Sequence, residues 1–217
     1  LYVRLFRFLD LRLLHWTGKV IAVTFQGDDA RQASYLWKTY KIHAAQGADY
    51  YSDVGDQANR DRIQAFDRYA DAIFFLNPDL KGVLPKRARF IPYLHVDLQD
   101  WESNPPDPHG VRPLRIIHAP SNRGVKGTKY IEEAVRNLKA QGHEFEFVLV
   151  EKVSYQEALE IYKSADVLID QLLVGWYGGL ALELMALGKP VICYIREEDL
   201  GAVPAEMARE LPILNAN

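Results

Sequence analysis

Two stretches of the sequence combine glycines with groups that attract anions. The first is Gly175 to Ile195, GWYGGLALELMALGKPVICYI, whose pattern is a glycine turn, a short apolar helix and a buried strand. Gly178 and Gly179 let the backbone approach a ligand at the helix start, where unpaired N–H groups and the helix dipole favour negative charge. The pattern therefore predicts a phosphate-binding helix N-terminus.

Glu183 is an ionisable residue in this otherwise apolar helix. A carboxylate in apolar surroundings requires a compensating partner, so we expect either a protein group or a ligand to bind it. Gly188 and Pro190 end the helix, and the apolar run from 191 to 195 predicts a strand that is buried on both faces.

The second stretch, His118 to Thr128, is a basic loop (HAPSNRGVKGT) between a predicted strand and a predicted helix. The carboxyl ends of parallel strands meet at one sheet edge, so this loop and the glycine turn should converge. Arg123 and Lys126 are suited to stabilise negative charge on a bound phosphate group. The alternative is a solvated basic turn. For His118 a structural hydrogen-bonding role is favoured over that of a base.

Two further strand ends carry polar residues. Glu151 follows one strand, and Asp170-Gln171 follows another, where a ligand contact and an exposed strand end remain equal alternatives. The histidines are scattered and no HxxxH pattern or carboxylate cluster occurs, so no metal site is expected.

The run GGLALELMALGKPVICY resembles the signature segment of retaining, nucleotide-sugar-dependent glycosyltransferases with the two-domain GT-B fold. In that family two glutamates, separated by seven residues, precede Gly-Lys-Pro-Val-Ile. Glu183 matches the second glutamate, which holds the nucleotide ribose, and Gly175 stands at the position of the first. The family binds the diphosphate with an arginine and a lysine. Lys126 matches the lysine, whereas Ser121 stands at the arginine position and Arg123 lies two residues beyond it.

The resemblance implies that Lys126 and Arg123 act on the diphosphate as catalytic residues. It also implies a nucleotide-sugar-binding set, in which the loop with Glu151 lines the base: Glu183, Gly178, Gly179, Ser121, Asn122, Glu151 and Tyr177. The donor is a substrate, so no cofactor is expected; the acceptor is a saccharide, a lipid or a small molecule. Two alternatives stay open. One is a catalytically silent nucleotide-sugar-binding module, favoured by Gly175 and Ser121, and the other is a GT-B epimerase or phosphorylase.

The alternation of strands and helices predicts an α/β protein. The pattern is clear over 114–217, where it indicates a Rossmann-like parallel sheet that binds the nucleotide sugar, and weaker over 1–98, where it indicates a partial acceptor-side α/β domain. The proline-rich stretch 99–113 predicts a linker. By resemblance the chain is a fragment of a GT-B protein. Strands are expected at 19–25, 71–76, 88–92, 114–119, 145–150, 167–170 and 191–195, and helices at 59–70, 128–141 and 155–164.

The composition limits the classes of partner. A net charge of -3 with interspersed charges argues against nucleic-acid binding, and no apolar run is long enough to span a membrane. The single cysteine, Cys193, falls in a predicted strand and is expected to be a core thiol, consistent with a cytoplasmic location.

Two features of the first part leave alternatives. Residues 1–15 form either a basic amphipathic helix in weak peripheral contact with a membrane or a helix packed on a sheet. The loop 26–31 resembles a Gly-Ser-Asp-x-Arg stretch of the family, but Asp28 or Asp29 alternatively caps a helix.

Overall fold

The fold is described from a computed structural model of the chain, which describes residues 8–98, 101, 103, 105–106 and 112–217. Residues 1–7 of the predicted basic helix, and residues 99–100, 102, 104 and 107–111 of the predicted linker, lie outside the described residues. The chain divides into two compact units. Unit 1 comprises 1–40, 49–92 and 201–203, and unit 2 comprises 41–48, 93–200 and 204–217.

The strands are β1 (Ala22–Phe25), β2 (Ala72–Phe75), β3 (Arg89–Phe90), β4 (Leu114–His118), β5 (Phe145–Leu149), β6 (Val167–Ile169), β7 (Val191–Cys193) and β8 (Leu214–Asn215). The α-helices are α1 (Leu9–Trp16), α2 (Ala33–Thr39), α3 (Asp53–Tyr69), α4 (Arg123–Lys126), α5 (Thr128–Ala140), α6 (Tyr155–Ser164), α7 (Gly179–Ala186) and α8 (Ala205–Glu210). Short 3₁₀ helices span Ala44–Gln46, Pro78–Gly82 and Glu197–Ala202.

Unit 1 is built on a three-stranded parallel sheet in the order β1-β2-β3. Its core contains Phe25, Ile73, Phe75 and Leu80, and α1 packs against α3. Strand β1 is shorter than predicted, because the chain enters the sheet only after Val20, whose side chain is 85% exposed.

Helix α3 begins at Asp53, six residues before the predicted start at 59. Ser52 is its N-cap, with the hydroxyl oxygen accepting from Gly55 N at 3.2 Å. The periodic apolar pattern begins only at Ile63, ten residues after Asp53, so periodicity alone placed the start too late.

The alternative in which Asp28 or Asp29 caps a helix is wrong. Asp29 turns back to accept from Gln26 N and Gly27 N, at 3.0 and 2.8 Å, and so closes the loop that follows β1. Asp28 instead pairs with Arg31 at 3.0 Å. Asp28 also accepts from the Tyr50 and Tyr51 hydroxyls, and the N-cap residue of α2 is Gln32, so neither aspartate caps that helix.

Unit 2 contains a five-stranded sheet in the order β5-β4-β6-β7-β8, and all neighbouring strands are parallel. Counted within the unit this is the order 2-1-3-4-5 of one doubly wound α/β arrangement. Each of its three central strands places a fully buried residue in the core, namely Ile117, Leu168 and Val191, all at 0% exposure. The predicted α/β class with a Rossmann-like parallel sheet and a smaller α/β part before it is confirmed.

Cys193 is a core thiol, as predicted. Its Sγ donates to the Gln171 carbonyl at 3.2 Å, and burial raises the pKa of the thiol well above its ordinary value. Within the part of the chain that the structure describes, no helix combines the length and apolarity needed to cross a bilayer.

Candidate anion-binding site at the carboxyl edge of the sheet

The strand order of unit 2 reverses between β4 and β6, which pair directly with each other. In open parallel sheets a ligand crevice forms at such a switch point, outside the carboxyl ends of the two strands. The loops that follow these strands are 119–127 and 170–178. They are joined by a hydrogen bond from Leu172 N to the Lys126 carbonyl at 3.0 Å, so the structure brings the two glycine-containing stretches together as expected.

Lys126 lies at the centre of this edge. Its Nζ is 3.0 Å from Asp170 Oδ1, and the second carboxylate oxygen of Asp170 accepts from Gly178 N at 2.5 Å. The side chains of Lys126 and Asp170 are 14% and 2% exposed. The cation, the carboxylate and the start of α7 thus form one contiguous and largely buried group.

Helix α4 presents this lysine. The sequence predicted a flexible loop over 118–128, but 123–126 is one helical turn, because Asn122 caps it by accepting from Val125 N at 3.0 Å. Lys126 is the last residue of that turn. A capped turn fixes the lysine backbone more firmly than a loop, and so directs its side chain to one place.

His118 anchors the start of the same loop. Its Nδ1 lies 2.8 Å from the Ile169 carbonyl and its Nε2 lies 2.8 Å from the Thr128 hydroxyl. A carbonyl can only accept, so Nδ1 donates and Nε2 accepts from the hydroxyl. His118 is fully buried and burial lowers its pKa. These contacts are those of a structural residue rather than a base.

Gly178 is required by the close approach of Lys126. A Cβ atom at this position would lie 2.8 Å from Lys126 Nζ and 3.3 Å from both carboxylate oxygens of Asp170. Gly178 is the N-cap residue of α7, and no side chain caps that helix. Gly178 N donates to Asp170, and Ala181 N donates to the Gly178 carbonyl at 3.1 Å. Among the described residues, this leaves the N–H groups of Gly179 and Leu180 as donors for an anion.

Glu183 has the partner that its position in an apolar helix requires. Its Oε1 lies 3.3 Å from His95 Nε2. Burial raises the pKa of Glu183, and the contact with His95 opposes that rise. The same histidine limits Gly179, since a Cβ there would be 3.1 Å from His95 Cε1. Glu183, Gly179 and His95 therefore form a second polar group near the start of α7.

The remaining expected site residues lie in three settings. Arg123 is half-exposed and binds Glu132 at 2.6 Å and Glu151 at 3.3 Å, so two of the expected residues pair with each other rather than with Lys126. Ser121 is exposed, and Asn122 serves as the cap of α4.

Tyr177, the last of the expected site residues, lies buried in unit 2. Its ring is 4.8 Å from that of Trp176 and 5.7 Å from that of Tyr93. It is 3% exposed, and burial together with Tyr93 raises its pKa to about 12. Its hydroxyl is thus a neutral group within an aromatic cluster.

Gly175 stands at the position of the family's first glutamate. The space beside it, where a side chain would lie, is filled by the guanidinium of Arg196. Gly175 has φ +86°, and a Cβ atom there would lie 2.5 Å from Arg196 Cζ. The guanidinium of Arg196 is buried and donates to Asp199 at 2.8 Å and to the Ile42 carbonyl at 2.7 Å. A side chain at 175 is excluded both by the backbone conformation and by this cation.

Three contacts of this edge were not predicted. Asp170 was left open as a strand-end residue, although an aspartate that ends a strand beside a basic loop is a usable signal for an ion pair. His95 and Arg196 gave no sequence signal as partners of Glu183 and Gly175. Among the described residues, no group of three or more His, Cys, Asp or Glu side chains is arranged to hold a metal ion.

Comparisons with known proteins do not show a family for this chain. No family model matches the sequence, and no curated protein matches it. Among solved structures, sucrose-phosphate synthase from Thermosynechococcus elongatus is similar with a TM-score of 0.48 and 15% identity, over 92% of this chain and 60% of that one. The chain spans less than two thirds of the length of that structure, and a likeness at this level carries no argument about activity.

Proposed function

We propose that unit 2 binds a nucleotide-diphosphate sugar at the edge formed by Lys126 and the start of α7, and that the chain belongs to a GT-B-type glycosyltransferase. The observation that carries the proposal is the meeting of Lys126, Asp170 and Gly178 at the switch point between β4 and β6. The resemblance of the segment around Glu183 to the glycosyltransferase signature supports it independently.

Charge is the physical basis of the proposed activity. Breaking the bond between sugar and diphosphate places additional negative charge on the departing diphosphate. Lys126 and the helix N-terminus supply positive potential at one place, held there before the donor arrives. A fixed cation that stabilises the transition state more than the bound donor increases kcat rather than affinity alone.

Asp170 has a positioning role in this proposal. One carboxylate oxygen of Asp170 lies 3.0 Å from Lys126 Nζ, and the other accepts from Gly178 N at 2.5 Å. Asp170 therefore holds the ammonium beside the start of α7. When a diphosphate binds beside Gly179, the ammonium of Lys126 is already positioned, and Asp170 has neutralised part of the charge of that ammonium. This arrangement limits ground-state attraction while it preserves the geometry.

Glu183 is the proposed nucleotide contact. A carboxylate on a helix can accept two hydrogen bonds from a ribose diol. His95 occupies one oxygen of this carboxylate in the described structure. Transfer with retention of the anomeric configuration, independence from metal ions and a cytoplasmic location form part of the proposal by resemblance.

A second candidate function is a nucleotide-sugar-binding module without catalysis. The guanidinium of Arg196 at the position of the family's first glutamate favours it, because a cation stands where the family has a carboxylate. Asp170 favours it as well, since it already neutralises Lys126.

Donor hydrolysis separates the two functions. A panel of nucleotide sugars is first screened by thermal shift, since a ligand that binds the native state raises Tm by mass action. Hydrolysis of a stabilising donor, followed by ¹H NMR of the released sugar, reports activity and anomeric configuration. Release of the α-sugar from an α-donor supports retention, and loss of activity in a chelator with recovery in manganese contradicts metal independence.

Lys126→Ala is the variant that tests the role of the lysine. We expect kcat to fall about a hundredfold, which corresponds to about 3 kcal/mol of transition-state stabilisation. Lys129→Ala, which removes an exposed lysine three residues away, is the matched control. If Lys126→Ala keeps the wild-type kcat and has only a higher KM, then Lys126 binds the donor and has no catalytic role.

A further inference from the structure

A charged cavity lies at the amino edge of the unit 2 sheet, on the side opposite to the site described above. Its volume is about 330 Å³, which lies within the usual range for small-molecule sites. Four cations and two carboxylates line it: Arg112, Arg115, Lys163, Lys189, Glu146 and Asp166. The lining therefore has an excess of two positive charges, in a chain whose net charge is -3.

The elements of the sheet explain this clustering. Asp166 immediately precedes β6, and Lys189 lies two residues before β7. Because Leu168 pairs with Val191, these two residues lie at corresponding positions of adjacent parallel strands. Arg115 lies at the start of the neighbouring strand β4. Charged residues at the amino ends of three adjacent strands are thus brought to one cavity.

Three of the four cations have carboxylate partners. Arg112 binds both oxygens of Asp166 at 2.7 Å, and Asp166 also accepts from Arg115 N at 2.7 Å. Arg115 Nε lies 3.4 Å from Glu146. Lys163 binds Glu160 at 3.0 Å. These pairs leave one cation of the lining unmatched.

That cation is Lys189. The residue is 4% exposed and lines the cavity. No hydrogen bond or ion pair among the described residues involves its Nζ. Burial lowers its pKa, and Asp166 opposes the change only in part. An ammonium on so buried a side chain loses part of its hydration, and the negative end of α7 offsets only a fraction of that cost. A ligand that supplies an anion would remove the penalty.

We propose that this cavity binds a small tetrahedral oxyanion, either inorganic phosphate or the phosphate group of a small phosphomonoester, with Lys189 as its central ligand. Arg112 and Arg115 add guanidinium groups, whose planar fork geometry suits phosphate oxygens. The proposal is independent of the glycosyltransferase function, because none of the lining residues belongs to the carboxyl-edge site.

The test is the phosphate dependence of Tm in matched variants. At about ten times its dissociation constant, phosphate should raise Tm by about 3 to 6 °C in the wild type. Lys189→Met keeps the length and the apolar stem of the side chain, and should abolish the shift. Lys86→Met, at an exposed lysine of unit 1, should retain it. Lys163→Met, at a half-exposed lining residue, should weaken the phosphate affinity several-fold and provides a second test if Lys189→Met fails to fold.

Lys126→Ala separates this cavity from the carboxyl-edge site. If phosphate binds in the cavity, this variant keeps the full shift. Three results overturn the proposal: no shift in the wild type at up to about 20 mM phosphate, an unchanged shift in Lys189→Met, or a shift that is lost in Lys126→Ala and kept in Lys189→Met. Tighter binding of glycerol 3-phosphate than of phosphate in the wild type identifies a phosphomonoester as the ligand, and equal or weaker binding identifies free phosphate.

Discussion

The ammonium of Lys126 and the carboxylate of Asp170 lie 3.0 Å apart at the end of β6, and the second oxygen of the same carboxylate accepts from Gly178 N. The positive charge of Lys126, which the sequence predicts as a ligand contact, is therefore partly neutralised by Asp170. This pair determines what an anion encounters at the start of α7.

Asp170→Asn tests that competition. The amide oxygen of asparagine can still accept from Gly178 N, but the negative charge beside Lys126 is gone. We expect the Kd of a nucleoside diphosphate to fall about three- to tenfold, measured by titration calorimetry. Asp49→Asn, at an exposed residue of unit 1, is the control. Weaker binding by Asp170→Asn would mean that the carboxylate supports the ligand.

Gly178→Ala tests the close packing at the same place. The new Cβ would meet Lys126 Nζ at 2.8 Å, so the lysine must move. We expect a loss of about 1–3 kcal/mol in the free energy of unfolding together with weaker nucleotide binding. Gly201→Ala is the control, because a Cβ there meets nothing within 4 Å. Equal stability losses for the two variants, measured by denaturant unfolding, would show that the site accommodates the methyl group.

Glu183→Gln separates a nucleotide contact from a structural role. Burial raises the pKa of Glu183, so its charged form opposes folding at neutral pH, and the neutral amide should leave Tm unchanged or slightly higher. The affinity for the nucleotide should nevertheless fall about tenfold. Glu206→Gln, at an exposed residue of α8, should change neither quantity. If Glu183→Gln bound the nucleotide with unchanged affinity, the assignment would be wrong.

The lowered pKa of His118 predicts that the stability of the protein depends on pH. Its folded-state pKa is lowered by burial, so the unfolded chain takes up a proton that the native state excludes. Its contribution is complete above the unfolded pKa of about 6.5 and is lost as pH falls through the folded pKa. The free energy of unfolding should decrease between pH 7.5 and pH 5, and His118→Gln should reduce that decrease. An identical pH profile in the variant would assign the effect to other groups, among them His43, whose pKa burial also lowers.

Periodicity located most elements, since α6 matches its predicted range and β2, β4 and β5 match within one or two residues. The convergence of the loop after β4 with the glycine turn also followed from the sequence, because parallel strands place their carboxyl ends at one edge. The contacts between residues far apart in the sequence could not be predicted in this way. His95 lies 88 residues from Glu183, and no local pattern encodes a contact over that separation.

The same limit applies to Gly175 and to helix α4. The absence of the family's glutamate at 175 was visible in the sequence, but the guanidinium of Arg196 that fills the space was not. Helix α4 could not be predicted either, because a single capped turn is too short to show a periodic pattern of apolar residues. Local patterns therefore specified the scaffold, and tertiary packing specified which charges meet.

Hydrogen exchange of the whole chain, with and without a nucleoside diphosphate, is the most direct test of where the donor binds. Bound ligand slows the exchange of amides that it contacts or orders. The account predicts slowed exchange in 119–127 and in the first turn of α7, and a loss of this protection in Lys126→Ala. Slowed exchange confined to other segments, or protection at α7 that persists unchanged in Lys126→Ala, would contradict it.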